Sequence, residues 1–141
     1  MGCFNSIVIN ASADDVWNVL KNFHDFSWSK NVITKVDVIG DKTDNAIGSK
    51  RVLNDAFHET LVSLDEDKRN FTYSIDDGPA VLSKDAMEGY IGEVTVLPVT
   101  ENNTAYVLWT SSWNASKDGG IAEFCNPIYY ALLQDLKLHF A

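Results

Sequence analysis

The sequence predicts an α+β domain: a seven-stranded antiparallel sheet covered by one long C-terminal helix, with two short helices after the first strand. Three observations carry this. Residues 57–64 and 71–75 alternate as two strands about the charged turn Asp65-Glu66-Asp67-Lys68-Arg69, since successive strand side chains point to opposite faces. Short turns separate most later segments, and short connections make consecutive strands antiparallel neighbours. A sheet with one apolar face needs a cover, and only the final segment is long enough. It opens at Asp118-Gly119-Gly120 and runs to Phe140, about 33 Å as a helix. Its stripe is Cys125, Ile128, Tyr129, Leu132, Leu133, Leu136 and Phe140.

The elements follow in order. Cys3 to Asn10 reads as a strand. Ser12 is placed to cap a short helix with Asp14 and Asp15 in its first turn; Val16, Trp17, Leu20 and Phe23 have helical spacing. Phe26 and Trp28 mark a second short helical or turn segment. Ile33 to Ile39 alternates as a strand, and Gly40 to Asn45 is turn chemistry. Ser49 to Leu53 is a strand that returns through Asn54-Asp55 into the 57–64 strand. Asp76-Asp77-Gly78-Pro79 ends the 71–75 strand. Met87 to Thr100 reads as one long strand, with Pro98 at an edge or bulge. Glu101-Asn102-Asn103 turns into Thr104 to Asn114. Pro127 either marks the start of regular helix or kinks it.

At 141 residues the chain is one domain, residues 1–141. Its net charge of −9 argues against a nucleic-acid or anionic-membrane partner, because phosphates and acidic lipids recruit Lys and Arg. No segment approaches the roughly 20 apolar residues of a membrane span. Cys3 and Cys125, far apart in sequence, make neither a disulfide framework nor a metal motif, and read as reduced thiols in a cytoplasmic protein. Met1-Gly2-Cys3-Phe4-Asn5-Ser6 matches a myristoylation pattern; the competing reading is that this segment starts the first strand.

Glu59 is the chemically informative residue. It shares a strand face with Phe57, Leu61 and Ser63, and a hairpin through the charged turn sets Leu61 near Tyr73 and Glu59 near Ile75. A carboxylate then lies on a face that otherwise looks like core, where an unpaired charge costs several kcal/mol. It must be paired, protonated or facing a wet cavity. Arg51 has the inward parity of Leu53, and the short Asn54–Ala56 turn brings it almost opposite Glu59. The pair serves either a ligand at a cavity wall or the sheet alone, and at contact distance Arg51 is expected to keep Glu59 ionised. Tyr73 and Tyr90 are candidate hydrogen-bond donors. Trp109, Ser111 and Trp113 share the less polar face of the last strand and are taken as inward, and Ile128 and Leu132 supply the helix side. His24, His58 and His139 are dispersed and form no metal site; His58 has the solvent-facing parity. No nucleophile elbow or phosphate loop is present, and no cofactor is expected.

Gly48-x-x-Arg51, Glu59-x-Leu61, Asp65, Tyr73-x-Ile75, Gly92-x-Val94 and Val107-x-Trp109, with Trp28 and the C-terminal helix, resemble the START/birch-pollen-allergen (SRPBCC) superfamily. The nearest branch is similar to the polyketide cyclase/dehydrase-type proteins, with plant abscisic-acid receptors as distant relatives. The resemblance implies the helix-grip fold, a curved seven-stranded antiparallel sheet wrapped around the long C-terminal helix, with a cavity between them. It also implies a pocket glutamate at Glu59 and a pocket aromatic at Tyr73. The receptors' long gating loop is reduced here to about Asn54-Asp55-Ala56.

Three functions compete. One is a carrier or sensor of a small apolar or aromatic molecule, with a cavity on the order of 300–1,000 Å³, lined by Arg51, Leu53, Glu59, Leu61, Tyr73, Tyr90, Trp109, Ser111, Trp113, Ile128 and Leu132. The second is a polyketide cyclase or dehydratase using Glu59 and tyrosines such as Tyr73 as acid and base, which requires burial to outweigh the Arg51 charge. The third is a protein-interaction domain with a filled core. The ligand's identity and the oligomeric state stay open.

Overall fold

The computed structural model describes residues 1–43 and 45–141. The predicted turn residue Asp44 lies outside the described residues. Strand β1 (Gly2–Ile9) leads into helix α1 (Ala13–Leu20) and a single 3-10 turn at Ser27–Ser29. Strands β2 (Val36–Ile39), β3 (Lys50–Leu53), β4 (Phe57–Asp65) and β5 (Asn70–Asp77) follow. A 3-10 turn at Ala80–Leu82 precedes β6 (Met87–Glu88), β7 (Ile91–Val99), β8 (Thr104–Ser112), β9 (Ala115–Ser116) and helix α2 (Ile121–His139). The main sheet has seven antiparallel strands in the order β1-β8-β7-β5-β4-β3-β2. Every neighbour but one follows the chain order of the main sheet, as short turns require. The exception is β1, which pairs along its whole length with β8, from Gly2 opposite Ser112 to Ile9 opposite Ala105. Gly2 is thus part of the first strand.

Local chemistry explains the ends of the elements. Ser12 caps α1 by accepting a 3.1 Å bond from the Asp15 amide, satisfying one of the donors a helix start leaves unpaired. Gly120, with φ +81°, precedes α2 in a conformation glycine adopts without a Cβ clash. Pro127 sits inside α2, which begins six residues before it.

Four expectations need correction. The second short helix is only the 3-10 turn at Ser27–Ser29. The strand beginning at Ile33 pairs only from Val36, because Thr34 and Lys35 donate their amides to the Asn54 side chain instead. Met87–Thr100 is not one strand. Gly89, at φ +72°, breaks it, and Met87–Glu88 pairs with Ala115–Ser116 in a separate two-stranded ribbon. Ser63 does not share the inward face with Glu59 and Leu61. A bulge after Leu61 puts one extra residue in β4, so Val62 and Ser63 are both exposed and Leu64 returns to the core side.

The core lies between the sheet and α2, with α1 closing one end. Leu61, Tyr73, Val94, Val107 and Trp109 come from the sheet, and Cys125, Tyr129, Leu132 and Leu136 from the helix. Trp17 and Phe23 pack against Phe71 at ring separations of 6.2 and 6.4 Å.

Candidate functional site

The β3–β4 hairpin builds the site. Asn54 and Asp55 both take φ +55°, and Ala56 donates its amide to the Leu53 carbonyl at 3.0 Å. Asn and Asp tolerate this left-handed conformation better than most side chains. The tight return sets Arg51 opposite Glu59 and Leu53 opposite Phe57, and on the next hairpin Glu59 lies opposite Ile75 and Leu61 opposite Tyr73. The Arg51–Glu59, Glu59–Ile75 and Leu61–Tyr73 pairings were legible in the sequence. Asn54 does a second job, since its side chain donates to the Val32 carbonyl at 2.9 Å and accepts from the amides of Thr34 and Lys35. It thereby holds the segment that carries Ile33.

Arg51 and Glu59 are 3% and 5% exposed, too little for solvent to stabilise either charge alone. Arg51 Nε donates to Glu59 Oε1 at 2.8 Å and Nη2 contacts the same oxygen at 2.7 Å. Nη1 donates to the Phe23 carbonyl. The guanidinium lies over the Phe23 ring at 3.8 Å and near those of Phe26 and Tyr73, a cation–π setting that favours its charge. Burial pushes the Glu59 carboxyl above the usual range, and Arg51 pulls it back only in part. The expectation that the guanidinium would set the direction is reversed: the carboxyl is nearly free of solvent, and desolvation outweighs the pull of one cation. The direct contacts to the permanently charged Arg51 still hold the two groups together as a pair.

A cavity runs from this pair to α2, lined by Phe26, Ile33, Arg51, Leu53, Phe57, Glu59, Tyr73, Ile75, Trp109, Cys125, Ile128, Tyr129 and Leu132. All are buried except Phe57 and Ile128, which are half-buried and mark the mouth. It offers water about 40 Å³, and the unfilled space counted out to open solvent is about 430 Å³. The interior is thus much tighter than the roughly 300–1,000 Å³ expected of a common ligand pocket.

Aromatic rings fill the rest of the space. Trp109 Nε1 donates to the Tyr73 hydroxyl at 3.0 Å, Tyr73 and Tyr129 hydroxyls are 3.0 Å apart, and Tyr129 and Tyr90 hydroxyls 2.5 Å. An indole only donates, so Tyr73 accepts there. Burial raises the hydroxyls of Tyr73, Tyr90 and Tyr129 above the ordinary phenol range; they stay protonated as donors. Gly92 makes this possible. It lies opposite Tyr73 in the sheet, and a Cβ there would stand 2.2 Å from the Tyr73 ring.

Arg51, Leu53, Glu59, Tyr73, Trp109, Ile128 and Leu132 therefore meet at one cavity, as the sequence suggested. Leu61, Tyr90, Ser111 and Trp113 do not line it. All four lie on the inward side, but parity reports the face of a strand and not the depth along it. Trp113 follows β8 and stacks on Tyr90 at 5.8 Å and 9°. Ser111 Oγ is buried without a well-formed hydrogen bond, beside Cys3 and Tyr90. Phe26, Ile33, Phe57, Ile75, Cys125 and Tyr129 are lining residues that the sequence reading did not single out. Cys125 and Tyr129 could have been found, because each lies three residues before Ile128 or Leu132 on the same helical stripe. The Cys125 thiol is pushed up to about 11, chiefly by burial, and is correspondingly unreactive. Among the described residues no cluster of metal-ligating side chains occurs, and no helix is long and apolar enough to cross a membrane.

A seven-stranded sheet gripping a long helix around an inner cavity defines a helix-grip domain of the START/birch-pollen-allergen type. The chain belongs to the family described as "Polyketide cyclase / dehydrase and lipid transport", whose profile matches residues 5–141. A solved structure from Nitrosospira multiformis is similar to it at 36% identity and TM-score 0.96, covering 100% of this chain and 97% of that one. A Thermobifida fusca protein at 20% identity and TM-score 0.82 covers 99% of this chain and 92% of its own. Ginseng major latex-like protein 151 from Panax ginseng, at 14% identity and TM-score 0.80, covers 99% and 97%. The last two establish likeness of fold alone. No curated protein matches the chain.

Proposed function

We propose that this protein binds a small apolar or aromatic molecule in the cavity between sheet and α2, as a carrier or sensor, with the Arg51–Glu59 pair as polar anchor. The observation that carries this reading is the position of the pair. It lies on the wall of an otherwise apolar cavity with an open mouth. A few placed polar groups in an apolar concavity is the usual composition of a small-molecule site. The family, whose description includes lipid transport, supports the same class. Because the interior is tight, a ring would enter from the mouth between Phe57 and Ile128 and displace these half-buried side chains as it seats. Native mass spectrometry of freshly purified protein tests this: a co-purified small molecule, released on denaturation, is the expected result. A fluorescent apolar probe that binds saturably should also change tryptophan emission, since Trp109 lines the cavity. A folded protein that binds no such probe removes the reading.

A second reading is favoured by one observation, the upward push on the Glu59 carboxyl. A carboxyl poised nearer neutral pH suits general acid–base catalysis, so a cyclase or dehydratase reaction would use Glu59 as proton carrier and the protonated Tyr73 as a donor to a substrate carbonyl. Turnover of an aromatic polyketone that is abolished in Glu59→Gln, with binding retained, would select this reading over the carrier.

A further inference from the structure

Resting on the binding reading above, we infer that the site selects neutral ligands that donate a hydrogen bond, such as phenols or alcohols on an aromatic body, and rejects carboxylic acids. The argument begins with Glu59. Both contacts from Arg51 land on Oε1, and among the described residues no donor is bonded to Oε2. Glu59 is one of the residues lining the cavity. We take the carboxyl as ionised at about pH 8, held against the always-charged guanidinium. An ionised carboxylate is an acceptor only, so its unbonded oxygen calls for a donor from whatever enters, whereas a protonated one would itself donate and favour the ether.

Arg51 is already committed to Glu59. Each of its three nitrogens has an acceptor, Glu59 or the Phe23 carbonyl, and its flat face lies over the Phe23 ring. The N–H bonds left on Nη1 and Nη2 could serve an anion only beside the negative charge of Glu59. Among the described residues that line the cavity, Glu59 and Arg51 are the charged ones. The ionised pair is net neutral, whereas a ligand carboxylate would add a second negative charge beside Glu59 with no second cation to offset it, where desolvation is most expensive. A ligand ammonium would add an excess positive charge beside Arg51. A neutral O–H or N–H satisfies Oε2 without either penalty. The far end of the cavity agrees, since the Tyr73 oxygen already accepts from Trp109 and bonds Tyr129, so it has little left for a ligand.

The test uses three probes with one ring system: 2-naphthol, 2-methoxynaphthalene and 2-naphthoate, titrated against the intact protein at about pH 8, where a phenol stays neutral. Binding is followed by NMR at the Trp109 indole N–H and the Arg51 Nε–H. The expected result is 2-naphthol tighter than its methyl ether by about tenfold, the worth of one hydrogen bond, with 2-naphthoate weakest. Naphthol and ether binding equally, the ether binding better, or naphthoate binding best would each overturn the inference while leaving an apolar site in place. No shift at Trp109 with any probe would overturn the binding reading itself. Glu59→Gln adds an independent readout. Arg51 demands an oxygen, so the carbonyl of the introduced amide faces it and the NH₂ faces the cavity, and the preference should invert toward the ether. A preference unchanged in a folded Glu59→Gln variant would show that Glu59 does not read the ligand.

Discussion

The core holds two buried polar clusters, and they solve the same problem differently. Around Arg51 and Glu59 the groups are charged and mutually dependent, since neither has solvent to fall back on. Around Tyr129 the groups are neutral, and Trp109, Tyr73, Tyr129 and Tyr90 form a chain in which each hydroxyl has one or two partners. Losing one member of a charged pair strands a whole charge, whereas losing one hydroxyl strands a dipole. On the proposed binding function, the charged cluster would specify what the cavity recognises; the neutral one, by filling the interior, sets how much room is left.

The largest effect should come from Arg51→Ala, which leaves the Glu59 carboxyl buried alone. A loss of about 3–5 kcal/mol is expected in denaturant or thermal unfolding. Arg51→Met combined with Glu59→Leu should recover most of that loss or exceed wild-type stability, because an apolar replacement removes both desolvation penalties. A double variant as unstable as Arg51→Ala alone would mean that packing of the guanidinium on Phe23, rather than charge, dominates.

Gly92→Ala comes next. The added Cβ meets the buried Tyr73 ring, and overpacking of this kind costs about 1–3 kcal/mol. Since Tyr73 lines the cavity, the variant should also perturb probe binding, which unfolding data and a probe titration together would separate. Tyr129→Phe should cost about 1–3 kcal/mol as well, since it breaks the chain between Tyr73 and Tyr90 at its centre. Tyr90→Phe removes only an end and should cost less. Equal costs, measured by chemical denaturation, would show that the hydroxyls do not act as a chain.

The smallest effect is the pH dependence of Glu59. Its folded-state carboxyl is raised, so the folded protein holds that proton more tightly than the unfolded chain. Stability from this group is then fully present below the ordinary carboxylate value and declines as pH rises through the raised one. The melting temperature of wild type, measured relative to Glu59→Gln, should accordingly fall as pH rises from acid toward neutral and then level off. A relative melting temperature that climbs with pH would mean that Arg51 lowers the carboxyl after all.

Glu59 against Ile75, Leu61 against Tyr73 and Arg51 against Glu59 were readable because strand parity has a period of two and the turns between these strands are short and recognisable. The same logic failed at Ser63, where one bulged residue inverted the parity, and at Met87–Glu88, where Gly89 redirected the strand. Neither signal is periodic. Trp113 and Tyr90 were assigned the right face and the wrong place, since nothing in local spacing says how far along a strand the helix will lie.

Fold class, strand pairing and the ion pair thus followed from the sequence alone, because each depends on neighbours within a hairpin or on the period of one element. Only the tertiary structure decided the size of the cavity, the contact of Phe26 and Ile33 with it, and the direction in which the Glu59 carboxyl moves. Each of those depends on how closely α2, the α1–β2 segment and the curved sheet approach one another. That distance is set by packing between segments up to about a hundred residues apart, where local periodicity carries no information.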